Sequence, residues 1–159
     1  MNRTAILAAA SLGCFALASC NQANVTGSAK TYAFAAQPQA NYSAQAGTAT
    51  LITLSTGDTS AVLLATGLRP STGYVAQFHA LGDATQPPCA SGGLVLGDQG
   101  SQSLIGNTTF TSDGSGGLSI RGLSSTASMA AAQYVELHEA GSPVTVPLCA
   151  DLTLKPAKQ

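Results

Sequence analysis

The sequence predicts an all-β domain, either a sandwich or a Greek-key barrel, and three observations lead there. Seven or eight short runs with strand-like alternation are separated by Gly, Asn, Asp and Pro turn signals. The chain holds 17 Gly and no Trp, and is rich in Ala, Ser and Thr, which argues against a helical bundle. Cys89 and Cys149 stand about 60 residues apart in the body of the chain, a spacing that also suits an immunoglobulin sandwich. That fold wants a buried Trp and a Tyr two residues before its second cysteine. Pro147 occupies that position, so the barrel is preferred.

The elements follow in order. Residues 31–35 suit a first strand, within an Ala-, Gln-, Asn- and Ser-rich stretch from 21 to 46 that otherwise reads as a tether. Residues 48–54 form a strand closed by the Gly57-Asp58 turn, and 60–66 form the next, closed by Gly67 and Pro70. Residues 74–80 follow. A long stretch from Gly82 to Gly106, with Pro87-Pro88 and Gly92-Gly93, reads as an ordered loop. Residues 108–111 and 117–121 flank Ser112-Asp113-Gly114, a strong hairpin signal. Residues 133–138 and 148–154 complete the set. The one helical alternative is 126–133, whose small residues favour it weakly.

Length and composition bound the rest. A chain of 159 residues suffices for one domain with a real core. Charged residues make up 8%, against roughly 25% in a typical soluble protein. The formal net charge of −1 offers nothing to attract nucleic acid. After residue 20 no apolar run approaches the roughly 20 residues needed to cross a bilayer.

Residues 1–19 read as a signal peptide rather than part of the fold. Arg3 supplies a charged start, and an apolar stretch runs from Ala5 to Ala18. Leu17-Ala18-Ser19-Cys20 resembles a bacterial lipobox, which implies a lipid on Cys20 and cleavage before it. Ser11-Leu12-Gly13 fits the same role poorly for Cys14. The alternative is an ordinary secretory signal cut near Ala18. Acyl chains on Cys20, at about 0.8 kcal/mol per buried methylene, would hold the protein stably on a membrane facing the periplasm or cell exterior. With Cys14 removed and Cys20 lipidated, Cys89 and Cys149 are one pair in a compartment that permits disulfides. The expected organisation is a signal peptide over 1–19, a lipidated tether over 20–46 and a barrel over 47–159. The exported part carries Lys30, Arg69, Arg121, Lys155 and Lys158 against seven acids, a net charge of −2.

Gly67-Leu-Arg-Pro-Ser-Thr-Gly-Tyr-Val-Ala-Gln-Phe-His-Ala-Leu-Gly-Asp83, followed by Cys89-Ala-Ser-Gly-Gly93, resembles the copper/zinc superoxide dismutase family. That family has a Gly-Leu turn, a strand ending His-x-His, then Gly-Asp, then a cysteine with Ser and Gly after it. Gly106-Asn107-Thr108 and Ser112-Asp113-Gly114 resemble its later hairpin. Val135-Glu136-Leu137-His138-Glu139 resembles its late strand, and Leu148-Cys149-Ala150 its final strand. The resemblance spans about residues 47–154. It implies a Greek-key barrel and a disulfide between Cys89 and Cys149.

The ligand set implied by the resemblance is incomplete. Gln77 stands at the first histidine of the His-x-His pair and His79 at the second; His138 matches the last copper histidine. Val95 replaces the histidine that bridges both metals. The zinc loop has no histidine, with Ser101 and Leu104 near its ligand positions, and Val146 replaces the substrate-guiding arginine. No zinc is therefore expected, and at most a weak copper site on His79 and His138, with Gln77 as a poor third group. Two imidazoles and a neutral amide suit Cu(II) badly and Cu(I) better. Glu136 shares a strand face with His138 while Glu139 lies opposite, and no carboxylate is expected to make up for the lost ligands. Asp83 and Asp98 read as turn or solvent residues.

Two functions remain open at this stage. One is an envelope lipoprotein that keeps the barrel with little or no dismutase activity. The other is an atypical copper-dependent superoxide dismutase of the cell envelope. No nucleic-acid partner is expected, and no protein partner is legible.

Overall fold

Alternation governs the core. The computed structural model describes residues 25–38, 42, 44–96, 108–142 and 144–157. Within them, eight strands run as β1 (Lys30–Ala36), β2 (Ala46–Thr53), β3 (Asp58–Thr66), β4 (Gly73–His79), β5 (Phe110–Thr111), β6 (Leu118–Ser125), β7 (Tyr134–Glu139) and β8 (Leu148–Asp151). Every second side chain turns inward. Tyr32 and Phe34 do so from β1, Tyr74, Ala76 and Phe78 from β4, Leu118 and Ile120 from β6, Val135 and Leu137 from β7. The large rings are accommodated because Ala49, Ala61, Ala65 and Ala150 face them from other strands. Phe78 is fully buried, and truncating such a ring to Ala typically costs about 3–5 kcal/mol.

All pairings are antiparallel, in the order β5-β4-β7-β8-β1-β2-β3-β6. The chain leaves β3 to start the opposite half at β4, and returns there after β6, which gives the Greek-key connection. β5 and β6 end the order and are joined by the turn at 112–117, so the barrel is nearly closed. Asp113 builds that turn: its Oδ1 accepts from Ser115 N, Ser115 Oγ and Gly117 N at 2.8, 2.7 and 2.8 Å. These donors hold its carboxyl below the ordinary carboxylate value.

The two crossovers cap opposite ends. After β3, Arg69 reaches Glu139 at the end of β7, with Nη1 to Oε1 at 2.8 Å. Tyr42 OH donates to the same oxygen at 2.9 Å and lies 2.8 Å from Tyr74 OH, which accepts from Arg69 N–H at 3.0 Å. After β6, Ser125 caps a single helical turn, α1 (Thr126–Met129), by accepting from Ser128 N–H at 3.0 Å. Met129 seats in the core.

The all-β barrel and its disulfide agree with the expectation, and three boundaries differ. β1 lies between β8 and β2, so the barrel takes in residues that a tether over 20–46 and a barrel over 47–159 would leave outside. Val25 also bridges to Leu54. Composition suggested a tether here, but burial of Tyr32 and Phe34 outweighs it. Helix at 126–133 is confined to one turn. The last strand stops at Asp151, whose Oδ1 turns back to accept from Thr153 N and Oγ1 at 2.8 and 2.6 Å. The signal peptide, Cys20 and residues 97–107, including Asp98, Ser101 and Leu104, lie outside the described residues.

Candidate metal centre

The outward faces of β4 and β7 carry the site. In their register Gln77 stands opposite Glu136, His79 opposite Tyr134 and Val75 opposite His138. Residues opposite each other share a face, so Tyr134, Glu136 and His138 join Gln77 and His79 on the outside of the barrel. That face is nevertheless covered. The side chains of His79, His138 and Glu136 are only 7%, 11% and 15% exposed.

The cover is the loop after β4. It runs back along that strand, with Ala80 N–H donating to Leu94 O at 3.0 Å and Leu96 N–H to Phe78 O at 2.7 Å. Val95 thereby pairs with His79, while its own side chain stays half exposed. The loop then crosses itself so closely that a Cβ on Gly93 would collide with the Ala80 carbonyl, and one on Gly82 with that of Ser91. Asp83 serves the loop as a turn residue, accepting from Thr85 N and Oγ1 at 2.9 and 2.7 Å. The Cys89–Cys149 disulfide (Cα–Cα 6.0 Å) fastens the loop to β8. Cys149 is opposite Glu136 in the β7–β8 register, so the fastening lies beside the site.

This packing fixes the imidazole of His79. Its Nδ1 lies 2.9 Å from Gly93 O, which can only accept, so Nδ1 carries a proton and Nε2 is the nitrogen left to face a metal ion. Tyr134 stacks on the ring at 4.7 Å and 11°, and its hydroxyl accepts from Gly93 N–H at 2.8 Å. His79 Nε2 is buried without a hydrogen bond among the described residues.

Three donor atoms converge. Glu136 Oε2 lies 3.5 Å from His79 Nε2 and 3.1 Å from His138 Nε2, and all three ligand atoms fall within 4.8 Å of one another. Two atoms bound at about 2.1 Å to one tetrahedral ion stand about 3.4 Å apart. The spacings to Glu136 bracket that value, so these three residues could hold a metal ion.

The resemblance pairs His79 with His138, and the structure brings their ring centroids to 6.0 Å. Gln77 shares their face. The expectation that no carboxylate stands with the histidines is corrected: Glu136 lies between them. Strand alternation put Glu136 on the His138 face; the β4–β7 register, which carries it to His79, is a tertiary fact. Tyr134 follows the same alternation, two residues before Glu136, and was not anticipated.

Fold and cluster together define a Greek-key barrel with a His/Glu/His group able to hold a metal ion. No protein-family model matches the chain, and no curated protein matches its sequence.

Proposed function

We propose that this is an envelope lipoprotein whose superoxide dismutase-like barrel holds one copper ion at His79 and His138, lacks a zinc site, and has little or no dismutase activity. The convergence of both Nε2 atoms with the Glu136 carboxylate in a covered site carries the reading. Copper heads the divalent affinity order for nitrogen and oxygen donors, which favours it over other ions. Copper would supply one-electron chemistry. The positions that the resemblance aligns with the family's helper groups offer little: Val95 has no proton to give, and Val146 no charge to guide an anion. The net charge of the exported part is also negative.

The second reading, an atypical copper-dependent dismutase, gains from Glu136, which gives the ion one more ligand than the two imidazoles alone. Titration of the purified protein with Cu(I) and Cu(II), with a superoxide assay on the loaded protein, separates the two. One ion bound with turnover far below a complete site supports the first reading, and rapid turnover the second. Binding that survives combined His79→Ala and His138→Ala changes removes both.

A further inference from the structure

Glu136 poses a question that the copper reading leaves open, namely which oxidation state the site prefers. We propose that Glu136 is the third ligand of the centre and sets it for Cu(II) over Cu(I). This inference rests on the copper reading above.

Three observations carry it. First, Glu136 Oε2 is placed as a ligand to the same ion as both imidazoles, at 3.1 and 3.5 Å from their Nε2 atoms. Second, the donors of the cluster are two imidazoles and a carboxylate; both described cysteines are spent in the disulfide, and the Met129 thioether is seated in the barrel core. Soft thiolate and thioether donors select Cu(I), whereas nitrogen and oxygen donors suit Cu(II). Third, the carboxylate is covered. Its attraction for a doubly charged ion is twice that for a singly charged one at the same place, and solvent screens it less than at the surface.

Cu(I) is satisfied by two imidazoles, so Glu136 adds little to its binding. For Cu(II) the carboxylate replaces part of the lost hydration and half of the charge. The preference is therefore set by one residue, and a neutral isostere should remove it. Every tenfold widening between the two affinities lowers the one-electron potential by about 59 mV.

The test is competitive titration of the purified wild-type protein and Glu136→Gln with Cu(I) and with Cu(II). Glu136→Gln should weaken Cu(II) binding at least thirtyfold and Cu(I) binding less than threefold. Cu(II) affinity within threefold of wild type would overturn the proposal while leaving the copper reading intact. A wild-type protein that binds neither state would end both. Independently of any variant, Cu(II)-loaded wild type labelled with 13C-glutamate should show electron–nuclear coupling to a carboxylate carbon. The chain has only two glutamates, Glu136 and Glu139, and Glu139 is bound to Arg69 and Tyr42 at the barrel end. Absence of that coupling overturns the proposal even if Glu136→Gln fails to fold. Glu136→His should keep a third ligand without its charge and add a third coupled nitrogen to the Cu(II) spectrum; an unchanged spectrum would count against ligation at this position.

Discussion

The backbone of Gly93 serves both rings of the stacked pair His79 and Tyr134: its carbonyl oxygen lies 2.9 Å from His79 Nδ1, and its N–H donates to Tyr134 OH at 2.8 Å. The Gly93 carbonyl thus orients the imidazole, while the Gly93 N–H holds the ring stacked on it. Supporting groups of this kind commonly change metal affinity by 10–100-fold when lost.

Gly93→Ala should therefore damage the site without touching a ligand. The added Cβ meets the Ala80 carbonyl, so the loop must move away from His79. We expect a loss of about 2 kcal/mol in stability and at least tenfold weaker copper binding. Urea denaturation and copper titration measure the two effects separately. An unchanged copper affinity would show that the Gly93 carbonyl does not position His79.

The disulfide should be intact and structural. Thiol titration of the unreduced, signal-free protein should find neither Cys89 nor Cys149 reactive. Closing a loop of about 60 residues constrains the unfolded chain by roughly 4 kcal/mol. The Cys89→Ala, Cys149→Ala double variant should accordingly lose stability of that order in equilibrium unfolding.

At the other end of the barrel, burial and bonds to Tyr74 and Glu139 push the Tyr42 hydroxyl far above its ordinary value of 10.0. A raised folded value means that the stability it confers is present in full below about pH 10 and is lost as pH rises beyond that, because the unfolded chain ionises first. Titration at 295 nm should show Tyr42 ionising only with alkaline unfolding. Tyr42→Phe should remove one tyrosine's share of the change that accompanies alkaline unfolding and lower neutral stability by about 1 kcal/mol.

Membrane attachment through Cys20 is tested by fractionation. The wild-type protein should travel with membranes and resist extraction by salt. Cys20→Ala should appear in the soluble fraction or remain as the uncleaved precursor. A processed Cys20→Ala protein still bound to membranes would place the anchor elsewhere.

Much of the fold was legible because period-two alternation is a local property. Thr59, Ala61, Leu63 and Ala65 point inward along β3, and Gly57 and Gly67 flank that strand where the sequence signals its turns. Residues 30–36 were harder, since composition and alternation disagreed there and only burial of Tyr32 and Phe34 settles the outcome. The site was half legible. His79 and His138 could be paired through resemblance, whereas Glu136 becomes a neighbour of His79 only through the register that sets it opposite Gln77. Nothing local in Val-Glu-Leu-His-Glu reveals which strand will lie alongside.

If Cys20 carries a lipid, the early start of the barrel also limits how far the domain would stand from a membrane. Val25 is already held against Leu54, and β1 begins at Lys30. A lipid on Cys20 would leave only four residues between it and the first of these contacts, a reach of at most about 18 Å from Cys20 to Val25 when fully extended. The anchored domain would therefore lie close over the headgroups rather than swing on a long leash. Its encounters would be limited to molecules that come within that thin layer, and orientation relative to the bilayer would become part of its chemistry.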